Sequence, residues 1–305
     1  MNFYKKIMMF VLMTTIAFVF SACGERAVVQ TATPEETIAK VLSNLEQIKS
    51  MKSTLTTQSS MTTAGSDSSV STETAVTAVY SPLNMKIESK TNSSDGTLVT
   101  YVEETDGMAT SYMEYAGQWM KQSLEPDIVL ESLRMYDTKQ NAIEFLENAE
   151  NWQETDGDNT LGVYQGTLPA STLAKVVEDT KSLQMTGMAG LTEEYYNGVS
   201  DTTIKVTVDK QTSMIVDYTI DLANTLETLM NNVSSTFNSA SENSEPVTIT
   251  VNEYTLSVKC EDINDTKKVE IPKETLDSAI DFERQIENAS TDIPEGENGE
   301  ELAVE

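Results

Sequence analysis

The chain has 305 residues, with 49 acidic against 20 basic side chains, a formal charge of -29 and no histidine. That balance excludes nucleic acid as a natural partner, because phosphate binding needs Lys and Arg; it fits solubility and stand-off from a negatively charged envelope. The absence of histidine removes the commonest general base, the Ser-His-Asp and Cys-His arrangements and the commonest zinc ligand.

The N-terminus carries an address. Lys5 and Lys6 form a short basic region, and Ile7 to Phe20 follow as an apolar run. The run is shorter than the roughly 20 residues that cross a bilayer as a helix. Ser21 and Ala22 are the small residues that signal cleavage requires, and Cys23 follows them at once. The stretch FVFSACGER, Phe18 to Arg26, resembles a bacterial lipoprotein signal, with Phe20 where that family usually has Leu and with Gly24 as in Gram-positive members. The resemblance implies a diacylglyceryl thioether on Cys23 at the mature N-terminus. Two acyl chains anchor stably where one does not. The bilayer is then the first partner, and the expected location is the extracytoplasmic face of the cell membrane. An ordinary secretory signal with an incidental cysteine is the alternative. Residues 1–22 hold two lysines and no acid, so their removal leaves a charge near -31.

Residues 23–33 read as a lipidated tether. TPEETIAKVLSNLEQIKSM then gives the clearest helix. Thr33 can cap it, Pro34 suits its first position and Glu36 completes a capping box. Ile38, Val41, Leu42, Leu45, Ile48 and Met51 make one apolar stripe. Strands follow: Thr54 to Thr63, Glu73 to Tyr80, Asn84 to Thr91, then a meander of Thr97 to Glu104, Met108 to Tyr115 and Gln118 to Gln122. Asp106-Gly107 between two alternating runs is a strong hairpin signal. Helical spacing takes over at Pro126 to Tyr136, Thr138 to Ala149 and Ala170 to Gln184, with a strand at Leu161 to Leu168 between them. Met185 to Gly190 reads as a loop.

Alternation returns at Ile204, Val206 and Val208. After the Asp209-Lys210 turn, Met214, Val216, Tyr218, Ile220 and Leu222 form an apolar row opposite Asp217, Thr219 and Asp221. Asn231 to Glu245 reads as a Ser/Asn-rich loop. The last long strand, Val247 to Cys260, changes phase near Asn252-Glu253, which predicts a bulge. Lys273 to about Glu287 is a helical pattern, and residues 288–305 read as an acidic disordered tail. No repeat of solenoid period is present, so residues 34–287 read as a single α+β domain.

The order helix, meander, helices, meander resembles the LolA/LolB-like lipoprotein carriers and the mycobacterial lipoproteins of the LppX/LprG type, with their Gram-positive relatives. SYMEYAGQWMK (Ser111 to Lys121), VDKQTSMIVDYTIDL (Val208 to Leu222) and VEIPKE (Val269 to Glu274) carry it. The resemblance implies a strongly curved antiparallel sheet, a half-barrel, with helices on its concave face. In LolA-like carriers an acyl chain lies between sheet and helices. An apolar or amphipathic ligand, a lipid among the choices, is therefore expected here. The residues expected to face it are Tyr101, Tyr112, Trp119, Met185, Met188, Met214, Val216, Tyr218 and Ile220, although each also suits a plain core. Unbranched methionines adapt to variable guests, and the chain has 15. A solid interaction or sensor module is the competing reading.

No catalytic residue, cofactor or metal site is expected. Glu154, Asp156 and Asp158 lack the spacing and the terminal bidentate Glu of a calcium loop and read as a solvated turn. No phosphate loop or nucleophile motif occurs. With Cys23 lipidated, Cys260 is the one remaining thiol. It sits in an alternating strand without a basic neighbour, which favours a buried residue over a reactive one.

Overall fold

The capping box forms as expected in the computed structural model, which describes residues 32–239 and 248–282. Glu36 N–H donates to Thr33 Oγ1 at 3.2 Å, and Thr33 N–H donates to Glu36 Oε2 at 3.0 Å. This opens helix α1, Pro34–Glu46, whose stripe is buried at Ile38, Val41 and Leu45. Twelve strands follow among the described residues: β1 Ser50–Thr63, β2 Ser66–Tyr80, β3 Leu83–Thr91, β4 Thr97–Thr105, β5 Met108–Tyr115, β6 Gln118–Leu124, β7 Glu150–Gly157, β8 Leu161–Leu168, β9 Thr202–Asp209, β10 Met214–Asp221, β11 Ile249–Glu261 and β12 Ile280–Asp281. The helices between them are α2 Pro126–Ser132, α3 Thr138–Asn148, α4 Ala170–Thr180, α5 Ala223–Ser239 and α6 Lys273–Ser278. The described residues from Thr33 onward belong to one compact unit.

The strands form a single unclosed, curved sheet in the order β12-β6-β5-β4-β3-β2-β1-β11-β10-β9-β8-β7. Every pairing is antiparallel except β12 with β6. The first meander runs outward from β1 to β6. The second half returns, and β11 lies against β1 with Leu55 opposite Val258 and Thr57 opposite Leu256. That pairing, about 200 residues apart in sequence, joins the two halves. The expected bulge is present: Ser60 pairs with Glu253 and Met61 with Val251, leaving Asn252 as the extra residue.

Period-2 alternation decides which face the helices cover. Met51 and Leu55 on β1, Val76 and Ala78 on β2, and Val102 on β4 share one face by register. All are buried, and the helices pack there, on the concave face. The core falls into two clusters. The larger gathers α1, α3, α4 and α5 over β1 and β7–β11. The smaller sets Val129 and Leu133, from α2 and the residue after it, over Val76, Met85, Ile87, Val102 and Ala109.

Three stretches differ from the sequence expectations. Residues 223–239 are helical, so α5 runs through most of the expected Ser/Asn loop. Its Leu226 and Leu229 are fully buried, and Asp221 Oδ1 accepts from the Ala223 N–H at its start. Tertiary burial overrides the weak helix propensity of Asn and Ser. Glu154 to Gly157, expected in a solvated turn, belong to the edge strand β7, and Asp158 alone of the expected acids lies in the turn. The pairing of β7 with β8 is irregular, and only Trp152 turns inward, so no alternation marks it. The expected helix from Lys273 stops at Ser278, where the chain joins the sheet edge as β12. The signal, Cys23, the tether through residue 31, residues 240–247 and the tail lie outside the described residues.

Candidate functional site

The helix layer has a seam over β1 and β11, between α3 and the end of α4, and a cleft opens there within the larger cluster. Its floor is Leu55 and Thr57 of β1 with Leu256 and Val258 of β11, two pairs set side by side by register. Tyr218 of β10 and Tyr254 extend the floor. One wall is α3, through Thr138, Asn141 and Phe145, whose i, i+3, i+7 spacing puts them on one helix face. The other is the end of α4 and the turn after it, where Lys181 takes the left-handed conformation (φ 54°) and Met185 hangs over the mouth. Met135, in the 3-10 turn Arg134–Tyr136, closes the remaining side.

Most polar groups around the cleft are committed. The Tyr218 hydroxyl donates to the Thr138 carbonyl at 3.1 Å, and the Tyr254 hydroxyl to the Ser182 carbonyl at 2.8 Å. Burial pushes both phenols well above their ordinary range. Ser53 and Thr138 share a hydroxyl–hydroxyl bond of 2.7 Å that ties β1 to the start of α3. Thr180 donates to the Val176 carbonyl at 2.7 Å. Asn141 Nδ2 donates to the carbonyls of Arg134 and Met135, at 3.1 and 3.3 Å. Asn141 Oδ1 is buried without a partner. The enclosed volume is about 20 Å³. That is room for about one water and far below the roughly 300 Å³ of an ordinary ligand pocket. The sheet and helices therefore pack closed.

The nine residues expected to face a ligand are scattered. Tyr218 and Met185 line the seam. Ile220 is plain core, and Met188 packs against the larger cluster from its edge. Met214 and Val216 leave the inward row, a correction to the expected alternation. Ile215 pairs with Val208 and Asp217 with Thr207, so Val216 is the extra residue of a bulge. The slip puts Ile215 in the core in their place. Tyr101, Tyr112 and Trp119 lie on the other face of the sheet. Tyr101 pairs with Tyr112 and precedes the inward Val102 by one position, and Trp119 precedes the buried Met120. There Tyr101 and Trp119 sit 5.8 Å apart between ring centroids, beside Lys86. Leu55, Thr57, Met135 and Asn141 were missed. The packing of α3 and the 3-10 turn before it over β1 sets them together, and no local pattern announces a contact that distant in sequence.

The remaining chemistry matches a surface or core role. Asp158 Oδ1 accepts from Thr160 N–H, Thr160 Oγ1 and Leu161 N–H in the β7–β8 turn, which lowers its carboxyl to about 2. Glu154 pairs with Lys210 at 2.7 Å. Among the described residues no acidic cluster has metal-binding geometry. Cys260 is buried, and burial, then Asp217 and Glu261, push its thiol up to about 12. It holds no thiolate at neutral pH.

No family model matches the chain, and no curated protein matches it. Solved structures do. The chain is similar to the lipoprotein LppX from Mycobacterium tuberculosis, at 15% identity and TM-score 0.41, over 78% of this chain and 98% of that one. It is similar to LprF from Mycobacterium bovis, at 11% identity and TM-score 0.40, over 79% and 96%. A domain of an outer membrane lipoprotein-sorting protein from Vibrio parahaemolyticus matches at 8% identity and TM-score 0.22, over 78% and 93%. The resemblance expected from the sequence thus returns among solved structures.

Proposed function

We propose that this chain is an extracytoplasmic lipoprotein, anchored in the cell membrane through lipidated Cys23, whose single domain of residues 34–287 takes an apolar or amphipathic ligand, lipid by class, between sheet and helices. The observation that carries this reading is the seam. It lies between α3 and the end of α4, and Leu55, Phe145, Leu256 and Val258 of the larger cluster meet there under two pliable methionines, Met135 and Met185. Since the enclosed space is only about 20 Å³, binding requires the α4 turn and the 3-10 turn to part. Residual volume favours a second reading, in which the body is a solid interaction module of the envelope and its surface does the work.

Native mass spectrometry of the chain purified from bacterial membranes, with organic extraction of the same sample, separates them. A reproducible added mass that extracts as lipid is expected. A clean mass of the chain and its anchor, with no uptake of supplied lipids, refutes the ligand reading and leaves the solid module. In the same cells, Cys23→Ala is expected to release the chain from the membrane fraction.

A further inference from the structure

Of the polar atoms on the seam's lining, Asn141 Oδ1 is the buried one without a hydrogen-bond partner among the described residues, and its chemistry is an acceptor. Asn141 is 6% exposed. Its amide orientation is fixed by its surroundings. Both neighbours within bonding distance are carbonyls, those of Arg134 and Met135, and only Nδ2 can donate to them. Oδ1 is thereby left facing no donor. A buried acceptor without a partner is destabilising, and a donor brought in by a ligand recovers that loss. Thr57 brings one further hydroxyl to the floor, and the remaining polar side chains of the cleft are engaged within the protein. Both tyrosine hydroxyls donate to backbone carbonyls, and Thr180 donates to its own helix.

Charge points the same way. Lys181 is the one charged side chain on the cleft wall, and it is held by Glu178, which raises its pKa, with Glu131 3.8 Å away. A carboxylate or phosphate headgroup would find a cation already neutralised and an amide oxygen that repels it.

We infer that the seam selects an electrically neutral ligand whose polar end carries a hydroxyl or amide N–H, and that Asn141 Oδ1 is the acceptor for that donor. This rests on the ligand reading above. It narrows the class: a long-chain alcohol or a neutral hydroxylated lipid fits, and a fatty acid anion or a phospholipid headgroup does not.

The test uses three probes of one chain length with the full chain in neutral detergent, read by native mass spectrometry over a concentration series. They are 1-hexadecanol, 1-fluorohexadecane, which matches the alcohol in size but cannot donate, and palmitate at pH 8. The alcohol is expected to bind about tenfold or more tightly than either other probe, because a site built to bond a hydroxyl rejects the analogue lacking it. Asn141→Leu is expected to remove that preference while the fluoroalkane binds as before. Equal binding of alcohol and fluoroalkane, a preference for palmitate, or an alcohol preference that survives in Asn141→Leu overturns the assignment and leaves the ligand reading standing. Failure of all three probes to bind overturns the ligand reading and this inference with it. Leu at 141 also strips a donor from two carbonyls, so if that variant does not fold, the wild-type comparison decides alone.

Discussion

Gly166 is an exacting position in the sheet, and Gly166→Ala is the sharpest test of how β7 closes over the core. The inward residues of β8 are Gly162, Tyr164, Gly166 and Leu168. At the third, Trp152 of β7 lies flat over the backbone. A Cβ built there would stand 2.8 Å from indole Cδ2, 2.8 Å from Cε2 and 2.9 Å from Cε3. Carbon pairs are at rest near 3.5–4.0 Å, so the ring must retreat by about 0.7 Å or more. It has little freedom to do so, being 6% exposed and tied through Nε1 to the Ala149 carbonyl at 3.2 Å. Overpacking of this kind costs about 1–3 kcal/mol, and the stiffer unfolded chain returns about 0.4–1 kcal/mol. The middle of the two ranges gives a net loss of roughly 1–2 kcal/mol, or about 2–8 °C in Tm at this size. Urea titration of wild type and variant measures it. The cause is checked in a Trp152→Leu background, where Gly166→Ala is expected to cost less than about 0.5 kcal/mol, a coupling of neighbours that distant sites do not show. A Gly166→Ala stability within 0.5 kcal/mol of wild type would refute the reasoning.

Two further outcomes follow from the electrostatics. Asp137 is buried, and burial raises its pKa against the Gln140 N–H bond, Lys139 and Arg134 that lower it. The folded state then holds this proton to higher pH than the unfolded one, so stability is greatest below the unfolded value near 4 and falls as pH rises toward the folded value. Asp137→Asn keeps a side chain able to cap α3 and is expected to flatten that part of the urea-midpoint profile; an unchanged slope between pH 4 and neutrality sinks the idea. Millimolar calcium is expected to leave Tm unaltered, because Asp158 has already committed its Oδ1 to three donors in its own turn. A calcium-dependent rise that Asp158→Asn abolishes would contradict this.

How much was legible depended on the range of the contact. Thr33 and Glu36 declare α1 in four residues, and Asp106-Gly107 declares its hairpin in two. The bulge at Asn252 was readable because β11 is long enough for its alternation to resume in the opposite phase. The bulge at Val216 was not: Met214, Ile215 and Val216 are all apolar, and such a run has no phase to lose. Alternation also gives parity without direction. Tyr101 and Tyr112 were recognised as strand residues, yet which face they share was settled by α2, which lands on Val102 and Ala109 instead. Trp152 and Leu226 were lost because charged or amide-rich neighbours diluted the pattern around them.

The closed seam makes one demand on dynamics that static packing does not. If a guest enters, the segment from Ser182 to Gly190 must lift while the sheet stays paired. Its attachments are few. Tyr254 bonds the Ser182 carbonyl, Glu178 accepts from Gly190 N–H at 3.0 Å, and Leu183 and Met188 pack inward. Its other bonds are local, from Thr186 Oγ1 to the Leu183 carbonyl and from Met188 N–H back to Thr186. Met185 at the mouth is 48% exposed. Segments with few buried contacts open at a fraction of the global free energy, whereas central strands open only with the whole fold. Amides of residues 185–190 are therefore expected to exchange with solvent about 100-fold or more faster than those of Leu55 and Val258, which lie paired in the middle of the sheet. Hydrogen exchange read by mass spectrometry resolves the two regions. Protection of the turn equal to that of β1 would mean that the seam opens only by global unfolding. The route for a ligand would then close, and the solid module would be the better account of this fold.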